Sequence, residues 1–308
     1  MKSFSVNLCE YQSLNKTINL MEGSTWKLIV DSGSSHVKWA LVKDASNIIK
    51  TETPGINLYF APKEDTKEMI VQKIFPILEN QPERVKEIYF YGTGLSNPKN
   101  QELLKEIFGA LFPDASLNLY TDIEGAARGL CIREKGIACI IGTGSSSCYY
   151  DGKEITDLRP GQGYILGDEA SGAYLGKLLI QGFLNQSFDE EMAALFKKSF
   201  PEIDRPYILE KVYRSTGVNV FFAGFSPFYS ANRGVKWIES TLAKAIKDFI
   251  EIHLLKFANH KDTSIHFTGS VALAFQSDWE KILKEYGLKP GKFEKNPIEG
   301  LLKYHLSA

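Results

Sequence analysis

KLIVDSGSSHVKWALV, Lys27 to Val42, is the stretch on which the fold turns. An apolar burst, Lys27 to Val30, breaks into Asp31-Ser32-Gly33-Ser34-Ser35; Val37, Trp39 and Leu41 then alternate with Lys38, Ala40 and Val42. Period-two alternation on either side of a small polar break predicts a hairpin. A further strand is predicted over Asn47 to Glu52, stopped at Pro54-Gly55 because proline cannot donate to a ladder. Downstream, a helix is predicted over Lys63 to Leu78 and a buried strand over Glu87 to Gly94, EIYFYGTG. Strand, helix and strand in succession imply parallel pairing.

Another helix over Lys99 to Leu111 leads to a strand at Leu117 to Tyr120, and Asp122 stands where that strand yields to the small-residue helix Gly125-Ala126-Ala127-Arg128-Gly129. In open α/β sheets functional groups collect at such carboxyl ends. The pattern then restarts. IACIIGTGSSSCYYDGKEI, Ile137 to Ile155, is a second strand-turn-strand unit with Asp151-Gly152 as its hairpin turn. Glu169 to Leu255 reads as mostly helical, with Ile238, Leu242, Ala245, Phe249 and Ile252 on one apolar stripe. Ile265 to Phe267 is expected as the last buried strand. It turns through Thr268-Gly269-Ser270 into a helix towards Tyr286, and Pro297 opens a final helix, Ile298 to His305.

Composition narrows the function. The 308 residues suit two compact units, and 36 basic against 37 acidic residues give a net charge of -1, too weak a field to recruit nucleic acid. No apolar run approaches the ~18 residues of a membrane span. Cys9, Cys131, Cys139 and Cys148 form no C-x-x-C pair, which fits a reduced, cytoplasmic setting. Residues 1–25 lack the continuous apolar stretch of a secretory signal and are read as an N-terminal extension, with Met21 just ahead of the first strand.

Three strand-to-turn junctions carry the chemistry: Asp31 to Ser35, Gly142 to Ser147 (GTGSSS), and Thr268 to Ser270. Small residues let backbone N–H groups approach phosphate oxygens, and hydroxyls add donors. Asp31 supplies a carboxylate that could hold Mg²⁺ directly or through water. Neither G-x-x-x-x-G-K-[ST] nor a G-x-G-x-x-G opening a helix is present, so P-loop and Rossmann readings are disfavoured.

DSGSSHVKW, YGTG, TDIEGAARGL, GTGSSSC, GYILGDEASGAYLG, GSVA and NPIEGLLKYH follow one another in the order that resembles the N-acetylglucosamine kinase and dehydratase-activator ATPase family. The resemblance implies a duplicated ribonuclease-H-like, actin-like ATPase fold of two α/β lobes with a central cleft for ATP. The first lobe would be 26–121 plus 297–308 and the second 122–296. It further implies that Asp31, Ser32, Gly33, Ser34 and Ser35 form one phosphate loop, Gly142, Thr143, Gly144 and Ser145 the other, and Gly269, Ser270 and Val271 the adenosine turn. Asp122 maps onto the general base, the acceptor being an amino sugar of the N-acetylglucosamine type phosphorylated at its 6-hydroxyl; Asp122 also suits a helix cap. Asn57, Thr93, Thr143, Ser146 and Asp168 map onto the sugar site, whereas Glu169 reads as an acidic first helical turn. A homodimer is expected by resemblance alone.

Departures from the family pattern bear on substrate and rate. His36 stands where the first loop commonly carries Lys or Arg, with Lys38 nearby to compensate. Ser146 replaces an asparagine that contacts sugar, and Pro160-Gly161-Gln162-Gly163 replaces a GGWG-like approach. His253, His260, His266 and His305 show no ligand spacing and read as structural or surface residues. Two rivals remain at this level: an ATPase activating a dehydratase through an iron–sulfur cluster, which needs cysteine ligands, and a catalytically weak sugar sensor.

Overall fold

The computed structural model describes residues 25–33, 36–56 and 63–307. Contacts divide the chain into two compact units at Asp122/Ile123.

In the first unit, β1 (Trp26–Ser32), β2 (His36–Asp44) and β3 (Asn47–Pro54) form an antiparallel meander. β4 (Val85–Gly92) and β5 (Ser116–Thr121) then add in parallel on the other side of β1, giving the order β3-β2-β1-β4-β5. β1 is central, and Leu28, Ile29 and Val30 are all fully buried, as a strand covered on both faces requires. Trp39 on β2 joins the core and satisfies its indole N–H on Thr53 Oγ1 at 2.9 Å. α1 (Lys63–Lys73) is shorter than expected, because Pro76 tightens the following turn into a 3₁₀ segment at Phe75–Leu78. α2 (Pro98–Leu111) starts at an Asn97 cap whose side chain accepts from Lys99 N, with Pro98 in the first turn. α3 (Asp122–Cys131) follows β5 directly.

The second unit repeats the order. β6 (Gly136–Ile141), β7 (Ser145–Tyr150) and β8 (Ile155–Arg159) are the meander, and β9 (Ser264–Thr268) and β10 (Lys289–Glu294) add in parallel beside β6, giving β10-β9-β6-β7-β8. This is the α/β ribonuclease-H-like plan twice over, as expected. β10 is a strand beyond the expected last one; Pro290 and Gly291 disguise it, and its pairing is irregular there. Gly291 is required because a Cβ would lie 2.5 Å from His266 Nδ1.

Between β8 and β9 runs a helical layer: α4 (Gly163–Leu166), α5 (Gly172–Leu184), α6 (Glu190–Ser199), α7 (Arg205–Arg214), α8 (Val218–Ala223), α9 (Ser226–Ala231) and α10 (Lys236–Ile252). α10 buries Ile238, Leu242, Ala245 and Phe249 as expected, but Ile252 is 47% exposed while Ile246 and Ile250 are fully buried. α11 (Ser270–Ala274) and α12 (Gln276–Glu285) follow β9, and α13 (Ile298–Leu306) closes the described chain. Expected with the first lobe, residues 297–308 instead fall in the second unit, where α13 crosses α3 so closely that a Cβ on Gly300 would sit 1.7 Å from Gly129 O. No described helix is long and apolar enough to cross a membrane.

Candidate functional site

The candidate residues gather in two places, one per unit. In the first, strand register lines up Glu52, Lys38, Asp31, Tyr91 and Tyr120 as one row across all five strands. Tyr91 and Tyr120 stack at 5.0 Å. Lys38 is ion-paired to Glu52, and His36 Nδ1 approaches the same carboxylate at 2.9 Å, so Glu52 ties down both side chains. Asp31 has its carboxyl pushed up to about 7, first by burial and then by the Asp122 carboxylate, against the opposing charge of Lys38. The first loop and the residue after β5 therefore share one electrostatic neighbourhood. Gly33 N–H donates to His36 O (3.0 Å) and Thr93 N–H to Ser32 O (3.2 Å), which brings Thr93 to the loop. Ser34, Ser35 and Asn57 lie outside the described residues.

In the second unit the loop after β6 is closed by Gly142 N–H donating to Gly144 O (3.0 Å). The first amides of α5 seize its carbonyls: Gly172 N–H donates to Gly142 O (2.8 Å) and Ala173 N–H to Thr143 O (3.1 Å). Asp168 lies against this loop. A Cβ on Gly144 would be 2.9 Å from Asp168 Oδ2, and one on Gly161 would be 2.6 Å from Ser145 O and 3.2 Å from Asp168 Oδ1. Burial raises the Asp168 carboxyl, although the Ser145 and Gly163 amides donate to it. Ser145 Oγ is buried without a partner, while Ser146, next along β7, is half-buried. Gly269 (φ +118°) completes the group, since a Cβ there would stand 2.2 Å from Ile141 O. The structure thus brings Gly142–Ser145, Asp168 and Gly269–Val271 to one end of β6.

Sequence reading missed three supports of these sites. Gly161 packs under Asp168, Glu52 gathers His36 and Lys38, and buried His253 bonds Glu169 at 3.1 Å. Only the glycine-rich run at 161–163 signalled its role in advance; His253 is 84 positions from its partner, beyond any local pattern. Among the described residues no group of three His, Cys, Asp or Glu side chains could hold a metal ion. Cys131, Cys139 and Cys148 are buried free thiols, each raised by burial above the ordinary thiol range.

Known proteins share this architecture. The structure of a Porphyromonas gingivalis protein provisionally named an N-acetylglucosamine kinase superposes with a TM-score of 0.82 at 34% identity, covering 91% of this chain and 98% of that one. Component A of (R)-2-hydroxyglutaryl-CoA dehydratase from Acidaminococcus fermentans matches in fold, with a TM-score of 0.51 at 15% identity over 92% of this chain and 98% of the other. An N-acetylmuramic acid/N-acetylglucosamine kinase of Clostridium acetobutylicum is 28% identical over 167 residues, 52% of this chain and 54% of that protein, so the chain spans about half the length of this curated relative. The model of one family matches residues 30–300, from the end of β1 into α13, and the chain belongs to that family, the BadF/BadG/BcrA/BcrD ATPases.

Proposed function

We propose that the protein is an ATP-dependent sugar kinase that phosphorylates an amino sugar of the N-acetylglucosamine type at its 6-hydroxyl, with Asp122 as general base. The observation that carries this reading is the Asp31–Asp122 pair: two carboxylates at the ends of β1 and β5, on either side of β4, close enough for one to raise the other. Phosphoryl transfer to a hydroxyl uses two such groups, one beside the phosphates and one to accept the proton. The kinase names of the Porphyromonas and Clostridium relatives support the same class.

The residues fit a nucleotide. Ser145 Oγ is a buried hydroxyl with no protein partner, and Gly144 leaves a cradle that a Cβ would fill. On this reading Asp31, Ser32, Gly33 and the Gly142–Ser145 loop hold phosphates, and Gly269, Ser270 and Val271 face the adenosine. Among the described phosphate-loop residues Asp31 offers the carboxylate to Mg²⁺, which suits an ion that keeps most of its shell as water and phosphate oxygens. When bound, the ion supplies charge neutralisation at the phosphates. Asp168, with Thr93, Thr143, Ser146 and Asn57, orients the sugar; Asp122 takes the proton as the sugar oxygen bonds to the γ-phosphorus and ADP departs.

The rival dehydratase-activator role asks for thiols at a surface. The described cysteines offer none there, since all three sit in the interior of the second unit.

A panel of amino sugars with coupled ADP detection tests the proposal. Sugar-dependent ADP release is expected, together with a loss of about 10²–10⁴-fold in kcat for Asp122→Asn at unchanged ATP affinity. Turnover unaffected by Asp122→Asn rejects the assigned base, and sugar binding without ADP release replaces the enzyme with a sensor.

A further inference from the structure

Glu169 and His253 are the second unit's buried acid–imidazole pair, 8% and 4% exposed. His253 Nε2 lies 3.1 Å from Glu169 Oε2, and the ring stacks on Phe249 at 4.5 Å with planes 15° apart. His253 Nδ1 is buried with no hydrogen-bond partner. A proton on Nδ1 would be an orphaned buried donor, which is costly to leave unmade. The proton therefore belongs on Nε2, and the imidazole donates to the Glu169 carboxylate.

Glu169 itself sits between two strained residues. Asp168 (φ +58°) and Ala170 (φ +59°) both occupy the left-handed region without being glycine. Such a turn persists only where its surroundings over-determine it. Downstream it is held through α5, whose Ser171 Oγ accepts from Tyr174 N–H and whose next two amides grip the Gly142–Thr143 carbonyls. At its centre, the tie to another element is the bond from His253, just past the end of α10. This turn aims Asp168 at Gly144 and Ser145.

We propose that His253 is a positioning residue: through Glu169 it holds the Asp168–Ala170 turn, and so fixes the Asp168 carboxylate for the acceptor sugar. The inference rests on the sugar-kinase reading above. It places the effect on the acceptor rather than on ATP, because the phosphate loop is anchored independently by the Gly172 and Ala173 amides.

Steady-state kinetics of His253→Leu and His253→Gln, with the amino sugar the wild type phosphorylates, provide the test. The leucine removes the donor, whereas the glutamine amide can still reach Glu169. His253→Leu should raise the sugar KM by about tenfold with the ATP KM little changed, and His253→Gln should recover most of the loss. A lowered unfolding temperature with an unchanged sugar KM, or a glutamine variant as impaired as the leucine one, overturns the proposal. Hydrogen exchange separates it from the kinase reading. If the wild type phosphorylates no amino sugar, His253→Leu should still speed exchange at the Gly167–Ser171 amides and leave the Gly172 and Ala173 amides and the β1–β2 strands unchanged; equal exchange at Gly167–Ser171 sinks the positioning role by itself.

Discussion

Replacing Asp31 by asparagine should stabilise the free protein, by an amount that grows with pH. In the folded chain the Asp31 carboxyl titrates at about 7, against 3.8 for the ordinary group. Burial is the first cause and Asp122 the second, with Lys38 opposing both. The sign follows directly: because the folded state holds the proton more tightly, stability is lost as pH rises from the unfolded value towards the folded one. Fully ionised, the penalty is about 4 kcal/mol, an upper bound because Asp31 is only partly buried. Linkage puts the penalty at roughly 2 kcal/mol near pH 5.5 and about 4 near pH 8. Urea unfolding in the presence of chelator, run on wild type and Asp31→Asn at both pH values, isolates the term, since non-electrostatic effects of the substitution cancel between them. The variant should gain about 2 kcal/mol more at the higher pH. An equal difference at both values would refute the idea that Asp31 is an electrostatically strained acid kept for function, as would a variant less stable than wild type near pH 8.

Gly144→Ala would set a Cβ 2.9 Å from Asp168 Oδ2, forcing a carboxylate held by the Ser145 and Gly163 amides to move. Its sugar-dependent kcat/KM should fall by at least about tenfold while overpacking costs the fold only ~1–3 kcal/mol, and wild-type kinetics would show that Asp168 does not depend on this contact. In a Cys9→Ser background the three remaining thiols, buried and raised (Cys131 to about 12), should react with a disulfide reagent only on unfolding; fast labelling in native buffer would contradict their placement.

Much of this was legible in the sequence because the fold advertises itself through local patterns. The alternation around Trp39 and the polar break at Asp31–Ser35 announced β1 and β2, and Ile137 to Ile155 announced their duplicates, since strand period and turn chemistry act over a few residues. β10 escaped because Pro290 and Gly291 look like punctuation; the glycine is there for close approach to His266, a contact no local window contains. Ile252 was misplaced because α10 ends there, and Ile246 and Ile250 take the buried positions instead. At the site, glycines and acids were visible as residue types. What Asp31 shares with Asp122, or Glu169 with His253, depends on tertiary contact across 91 and 84 positions, and no periodicity encodes such distances.

The duplication also shows how the two halves divide the chemistry. Aligning the turns on Gly33 and Gly142 sets Asp31 opposite Ile140, and aligning the last strands sets Asp122, after β5, opposite Lys295, after β10. The first unit therefore concentrates acid at the ends of its parallel strands, where the equivalent positions of the second are apolar or basic. Two nearby carboxylates are costly unless a cation joins them or one keeps its proton, and burial together with Asp122 pushes the Asp31 carboxyl up, towards the second solution. A kinase that gained magnesium at Asp31 would discharge that cost, release a proton, and leave Asp122 beside a cation instead of a competing acid. Proton release on Mg²⁺–ATP binding near pH 7, measured by calorimetry in buffers of different ionisation enthalpy, should accordingly vanish in Asp31→Asn; release that persists in the variant would place the proton on another group.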